Sequence, residues 1–550
     1  MKRFLMWLLV ALPALAQAQF TFTTNNGAIT ITGYAGPGGA VIIPDTLSWY
    51  GVPLPVTTIG TNAFAFNTAI TNIIIGTNVT TIGDLAFDTV PSLTSIVIPD
   101  NVVSIGHHAF FYCYNLTSLT IGSSVTNIGW GAFGACTKLM AISVNSNNLS
   151  FTNLSGVLFN KDQTTLIQCP AGKSGGYTIP GGVVKINDAA FFDCYKLTSV
   201  TIPASAANIG NDAFEECDGL SSLTIPNNVT NIGDNAFYGC QKLAGILIST
   251  NTINIGSSVF YNCTNLSSVT IPNSVTNIGK SAFFSCSKLK TTSIGTNVTS
   301  IGDYAFYLCT NLADIIIPNA VNSIGQSAFF SCSSLKSAII GNSVAFIGGG
   351  AFSSCSALKS IVIPNSVTNI GNYAFASCSR LTNALIGDSV TSIGTNAFNS
   401  CINLTSVLVP SSVANIADFA FTGCSKLKGL YFYGDAPICG TSAFLDDTSL
   451  IAYYLPESMG WTVSLSGIPT ALWLPAMQAG DGSFGVETNQ FGFNSKWASG
   501  QTVVVEACTN LSNPDWQPVQ TNTFPSSGSA YFSDSQWTNY PNRFYRLRSP

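Results

Sequence analysis

The chain has 550 residues, of which only 8% are charged, with 20 basic against 25 acidic side chains and a net charge of −5 at pH 7. Ordinary soluble domains carry roughly 25% charged residues, so solubility here must rest on Ser, Thr, Asn and Gly. Such a mildly acidic, charge-poor chain has no electrostatic footprint for nucleic acid, and that partner class is excluded.

The N-terminus reads Met-Lys-Arg, then an apolar run from Phe4 to Leu15, then Ala16-Gln17-Ala18 before Gln19. That order predicts a cleavable secretory signal over residues 1–18. The apolar run falls short of the ~20 residues a spanning helix needs, and Pro13 interrupts it. Cleavage removes Lys2 and Arg3, leaving 18 basic against 25 acidic residues and a net charge of −7. Later apolar residues come in short runs broken by Ser, Asn, Pro and Gly, so no transmembrane segment is expected after the signal.

Residues 19–55 read as an N-terminal cap, with strand-like Phe20-Thr-Phe-Thr and Ala28-Ile-Thr-Ile-Thr. From 56 to 445 a fixed period dominates. An Ala-Phe pair or its near-equivalent ends in Phe64, Phe87, Phe110 and Phe133, and again from Phe191 through Phe283 to Phe421, in steps of 23 residues. One unit reads Leu266-Ser-Ser-Val-Thr-Ile-Pro-Asn-Ser-Val-Thr-Asn-Ile-Gly-Lys-Ser-Ala-Phe-Phe-Ser-Cys-Ser-Lys288. Leu266, Val269 and Ile271 point inward from one short strand, in the leucine-rich pattern, while the third and fifth places point out. Val275 and Ile278 fill the next side, Gly279 permits a sharp bend, and Ala282, Phe283 and Cys286 close the back as a turn of helix or 3₁₀ helix. No unit buries this apolar set alone, so the coils must stack. The fold expected is a strand-dominated leucine-rich-repeat solenoid with one short parallel strand per 23-residue coil, on the order of 75 Å long for about sixteen coils.

The interval from Phe133 to Phe191 is 58 residues, two units plus 12. Within it, Gly156-Val-Leu-Phe and Thr164-Thr-Leu-Ile flank the polar Asn160-Lys-Asp-Gln, which predicts an enlarged coil over 145–179 with a protruding β-hairpin. Residues 446–475, with Tyr453-Tyr454-Leu-Pro, Trp461 and Trp473, read as a C-terminal cap sealed by aromatics. A Gly/Asp/Ser linker over 476–482 leads to a small antiparallel β-sandwich-like domain over 483–550. Its strand signals are Val503-Val-Val-Glu-Ala, Ala530-Tyr-Phe and Arg543-Phe-Tyr-Arg-Leu.

The Ile-Gly-x-x-Ala-Phe unit with its following Cys resembles the BspA-like leucine-rich repeats of bacterial surface and secreted proteins over about residues 40–445. The enlarged coil, with Gly156-Val-Leu-Phe-Asn-Lys and Tyr177-Thr-Ile-Pro, is also similar to a recurrent feature of that family. The resemblance implies a secreted or outer-surface protein that binds or adheres to proteins or surfaces, without enzymatic activity or cofactor. No ligand motif transfers residue by residue.

Catalytic and metal chemistry find little support. Thirteen of the sixteen cysteines occupy one repeat position from Cys113 to Cys424. An exported chain with that number invites a disulfide framework, but the thiols project in parallel from a packed interior, so they read as small buried apolar residues. Val90 takes the same place in an earlier coil. A row is not a tetrahedron and no Cys-x-x-Cys pair exists, so zinc is disfavoured. His107 and His108, the only histidines, fall on a surface turn unsuited to a catalytic triad. Glu215, Glu216 and Asp218 cluster as the carboxylates of a glycosidase would. The blander reading is a solvated rim, because Asp84, Asp188, Asp234, Asp303 and Asp418 all take the first variable place after the Gly or its substitute. The nonapeptide spacing of calcium repeats and a phosphate-binding Gly loop are both missing.

The function expected is therefore non-catalytic display of an extended repeat surface to a protein ligand or a surface, with carbohydrate recognition or a purely architectural surface role as alternatives. The fifth, outward strand place gives a candidate ligand-binding stripe. It is polar at Thr201, Thr224, Thr270 and Ser293, then apolar at Ile316, Ile339, Val362, Leu385, Leu408 and Tyr431. Soluble monomers seldom leave such a stripe unused. Strand preference alone would also produce it, because β-branched residues favour strands wherever they sit, and so would a tail domain folded back over the stripe. Because charge-poor faces leave few ion pairs to screen, binding to any partner is expected to weaken little between low and moderate salt. A steep loss of affinity over that range, measured by titration, would contradict this.

Overall fold

The computed structural model describes residues 19–550 apart from 448, 457, 488, 489, 512, 513, 541 and 550. The signal segment expected over 1–18 lies outside the described residues. The chain divides into two compact units, one ending at Ala357 and one beginning at Leu358.

In the first unit each 23-residue step makes one coil. Ser268–Thr270 pairs in parallel and in register with Thr291–Ser293, and Asn277–Ile278 pairs likewise with Ser300–Ile301. Leu266, Val269, Ile271, Val275, Ile278, Ala282, Phe283 and Cys286 are all buried. The Phe rings of successive coils stack face to face, with centroids 4.7 Å apart for Phe191 and Phe214 and 5.2 Å apart for Phe260 and Phe283. Removing one such ring costs about 3–5 kcal/mol. The chain is a strand-dominated parallel solenoid, as the period predicts.

The back of the coil differs from the expected helix. Among the described residues the only helix is the 3₁₀ turn Trp537–Asn539. Instead, the back is a run of tight turns: the N–H groups of Ala282, Phe284 and Cys286 donate to the carbonyls of Gly279, Ser281 and Phe283, while those of Ser281, Phe283 and Ser285 donate to the next coil's Asp303, Ala305 and Tyr307. Half of the donors thus leave the local turn for the neighbouring coil. This alternation places Ser281 and Ser285 in the left-handed region, with φ of 55° and 59°. A continuous helix is incompatible with a left-handed residue at every fourth place.

Gly279 also has a different role from the one its sequence suggests. A Cβ there would lie 2.4 Å from the carbonyl oxygen of Gly256, so the column of glycines exists because adjacent backbones nearly touch. The rim aspartates are not merely solvated either. Asp84, Asp188, Asp234 and Asp303 each accept the backbone N–H 23 residues ahead, at 2.6–2.9 Å.

At the N-terminal end Phe20–Asn25 and Ala28–Tyr34 form an antiparallel hairpin, and Ala28–Tyr34 joins Val52–Ile59 in parallel. This changes strand direction at the end of the stack and covers it. In the enlarged coil Val157–Asn160 pairs antiparallel with both Phe151–Leu154 and Thr165–Gln168. The hairpin does not protrude. Val157, Leu158, Phe159 and Leu166 are fully buried, so an apolar run on both faces has been drawn into the wall of the stack, where Thr165–Leu166 continues it onto Lys185–Ile186.

The second unit begins with coils of the same kind. Asn369–Ile370, Ser392–Ile393, Asn415–Ile416 and Ile438–Cys439 pair in parallel, and Phe375, Phe398, Phe421 and Phe444 stack. The last coil is closed by aromatics, with Trp461 stacked on Tyr454 at 4.8 Å and its indole N–H on the Gly434 carbonyl. The tail then forms two antiparallel sheets. One contains Ala476–Gln478, Gly485–Glu487, Gln490–Lys496 and Ser529–Asp534, and the other Thr502–Cys508, Gln517–Thr523 and Phe544–Arg548. Phe493, Val505 and Phe532 pack between them. The linker expected over 476–482 is partly strand, because Ala476–Gln478 pairs with Asn494–Lys496.

No disulfide joins any of the sixteen cysteines, and fifteen of them are buried. Most thiols of the column donate to the carbonyl of the Phe 26 residues earlier, at 3.1–3.3 Å, as Cys286 does to Phe260, whereas Cys194, just after the enlarged coil, lies 3.9 Å from the Cys169 and Pro170 carbonyls. Burial pushes Cys113 and Cys332 up to about 12, far from the thiolate that reactivity needs.

Ser285→Gly should raise stability by roughly 0.5–1 kcal/mol, since glycine relieves the left-handed strain at a small entropic cost; Gly239 and Gly423 already hold that place with φ of 71° and 74°. A lower melting temperature would show that the serine is not strained. Thiol titration should find almost none of the column reactive in the native protein and most cysteines free once it is denatured without reductant. Recovering nearly all of them as disulfides would overturn this reading.

Candidate functional site: the outward strand columns

The two-residue period of a strand sends alternate side chains out of each coil. In the first unit Ile316 and Ile339 are register partners on Asp314–Ile316 and Ser337–Ile339, and they are 63% and 56% exposed. In the second unit Val362, Leu385, Leu408 and Tyr431 are successive register partners, exposed by 57, 45 and 38% for the three aliphatic residues and less for Tyr431. A count from the middle coils misses that the same outward place is also apolar and exposed at Ile42, Ile74, Val97 and Leu247. The apolar character is thus not confined to the later coils, and strand preference for branched side chains contributes to it.

Within the second unit the column runs into a groove of about 650 Å³. One wall is Leu385, Leu408, Tyr431 and Tyr453; the other is Trp473, Lys496, Trp497 and the Ser526-Ser527-Gly528 turn of the tail. Tyr431 and Tyr453 stack at 4.9 Å, Trp473 leans on Tyr431 and Tyr433, and the Trp497 indole donates to the Trp473 carbonyl at 2.8 Å. Leu455, Trp497, Val503 and Phe524 are buried together behind it. The tail is therefore packed against the last coils and narrows the column's end without covering Val362.

The histidines and the acidic cluster lie in the first unit. His107 accepts the Trp130 backbone N–H on Nδ1 at 3.1 Å. His108 lies against Phe111 and Trp130, and burial holds it below the usual imidazole range, outweighing the attraction of Asp212. His107, Trp130, Asp84 and Asp188 border an opening of about 430 Å³ beside the enlarged coil. The strand Asn127–Ile128 is the last of its own sheet there, and that interruption creates the opening.

Glu215, Glu216 and Asp218 are joined by Asp193 and Asp212. Burial, with a side-chain hydrogen bond to Asp212, pushes Glu215 up to about 8, and burial beside Glu216 pushes Asp193 up to about 6. Among the described residues no group of three or more His, Cys, Asp or Glu is arranged to hold a metal ion, and no helix is long and apolar enough to cross a membrane.

The family model described as BspA type leucine rich repeat region, with six copies, matches residues 47–172, 173–290, 230–359 and 346–461. Among solved structures, a leucine-rich repeat protein from Bacteroides ovatus is 24% identical over 80% of this chain and 94% of its own, with a TM-score of 0.44. A leucine rich cell surface protein from Faecalibacterium prausnitzii is 27% identical over 76% and 94%, with a TM-score of 0.40. The pneumococcal vaccine antigen PcpA is 16% identical over 80% and 93%, with a TM-score of 0.30. No curated protein matches the chain. The matched repeats span most of the sequence and coincide with the stacked coils, and the chain belongs to the BspA-type leucine-rich repeat family.

Proposed function

We propose that this chain is an exported, non-catalytic binding protein of the bacterial surface that presents its outward strand columns to a protein ligand. The observation that carries the reading is the exposure of Ile316, Ile339 and Val362, each more than half open to solvent at the outward strand place and spaced by 23 residues. Leu385, Leu408 and Tyr431 extend the apolar surface into the aromatic groove. Exposed apolar rows on a rigid parallel scaffold suit a protein partner, which gains from burying them without an ordering cost to the scaffold. Export is supported by the order of the first eighteen residues, and a surface location by the family.

A second reading, carbohydrate recognition, is favoured by the groove itself, where partly exposed Tyr453 and Trp473 stand beside Lys496, Ser526 and Ser527. An array carrying proteins and glycans, probed with the mature chain, separates the two. Protein-only hits support the proposal, sugar-only hits the second reading, and no hits at all a purely architectural role.

Ile339→Glu and Val362→Glu test the columns directly. Each should weaken the protein ligand by roughly tenfold or more, the loss expected when one buried aliphatic side chain becomes a charge, with the melting temperature almost unchanged. If both variants bind normally, or both unfold, the outward columns are not the binding surface.

A further inference from the structure

The place that follows the buried Phe in each coil carries a second aromatic row on the back of the first unit. Tyr238, Tyr261, Phe284, Tyr307 and Phe330 occupy five consecutive coils and are partly exposed. Their ring centroids are 4.7, 4.5, 4.6 and 4.8 Å apart, and successive planes diverge by only 5–8°. The spacing is held by the backbone, since the residue after each ring donates to the carbonyl of the next: Gly239 to Tyr261, Asn262 to Phe284, Ser285 to Tyr307 and Leu308 to Phe330.

Stacked this way, the rings cover one another's faces and offer solvent only their edges. Sugars are recognised on open ring faces, so this row does not suit a glycan. A row of ring edges is a straight ridge, and a flat aromatic laid along it meets each ring face to edge, one of the arrangements that aromatic pairs favour. At one coil per ~4.8 Å the row is roughly 19 Å long, so the ligand that covers it is elongated.

The row also has a polar end. Glu215 holds the same place in the coil before Tyr238, with Asp212 and Glu216 beside it and the Asp193 N–H on its carbonyl, while Asp218 lies near Glu216 and Asp193, and Lys196 and Lys242 near Asp193 and Asp218. The Glu216 N–H donates to the Tyr238 carbonyl at 2.8 Å and its carboxylate lies against Gly239, the residue after Tyr238, which puts that carboxyl group at the head of the row. At the other end the place passes to the small, buried Ser353.

We propose that this face is a binding site for an elongated, planar, conjugated aromatic compound with a cationic end, its length lying across the ring edges from Phe330 to Tyr238 and its cationic end toward the Glu216 carboxylate. The site is separate from the outward strand columns and does not depend on their having a ligand.

Thioflavin T, a rod-like aromatic cation, is the probe, titrated into the mature full chain by fluorescence. Saturable binding with one site per chain is expected. Tyr261→Asn combined with Phe284→Ser should weaken it by roughly tenfold or more, with two edge contacts gone. The fold tolerates such residues, because Ser353 and Asn399 hold the same place in other coils, and the melting curve verifies this. Congo red, longer and anionic, should bind at least several-fold more weakly, and Glu216→Gln should narrow that difference. No saturable binding of thioflavin T, equal binding by the double variant, or equal binding of Congo red overturns the proposal. If the double variant unfolds, Tyr238→Ser together with Tyr307→Ser takes its place and is read in the same way.

Discussion

A single coil of this chain cannot keep its own phenylalanine out of water, and the rest of the architecture answers that deficit. Each Phe is shielded by the Phe of the coil on either side, so the ring-to-ring step fixes the coil-to-coil step at near van der Waals contact. Everything else along the coil has to tolerate that closeness. The glycine column does so by lacking a side chain where backbones meet. The cysteines do so by being small, and their S–H groups find carbonyls in the coil before. The left-handed turns do so by redirecting alternate N–H groups to the neighbour. Stacking, not intrinsic preference, sets the backbone.

That order of causes explains what could be read in the sequence. The 23-residue period, the inward Leu, Val and Ile, the buried Cys and the aromatic closure were legible because they are apolar residues at fixed intervals. The back turns were not. Serine, aspartate and tyrosine fill left-handed places such as Ser285, Asp212 and Tyr304, where a lone coil would call for glycine, and only bonds to the next coil hold them there. The same blindness turned the rim aspartates into solvated side chains and Gly279 into no more than a sharp bend. It also lifted the hairpin of residues 157–168 out of a wall in which Val157 and Phe159 are buried.

The candidate surfaces divide along the same line. The outward strand column could be found by counting alternate residues, though Ile42, Ile74, Val97 and Leu247 show that its apolar character is broader than a count from the middle coils suggests. The groove at its end needed the tail's Trp497 and Ser526–Gly528, which lie far away in sequence. The aromatic row on the back was in principle countable, one residue beyond each core Phe, but a residue beside a core position reads as more core until its partial exposure is known.

A stack whose neighbours recognise one another by shape has no inherent length, and any exposed terminal coil is an invitation to a second copy. The cysteine column shows where the repeat stops. Counting 23 residues on from Cys424 gives Asp447, a carboxyl group in the slot where every later coil would look for a thiol, buried and pushed up to about 7 by the loss of water. A further coil laid on that end would enclose the charge still more completely, a cost that rises as the carboxyl ionises. One acidic residue in the repeat's own register thus ends the cysteine column, at the point where Tyr454 and Trp461 take over the closure of the stack.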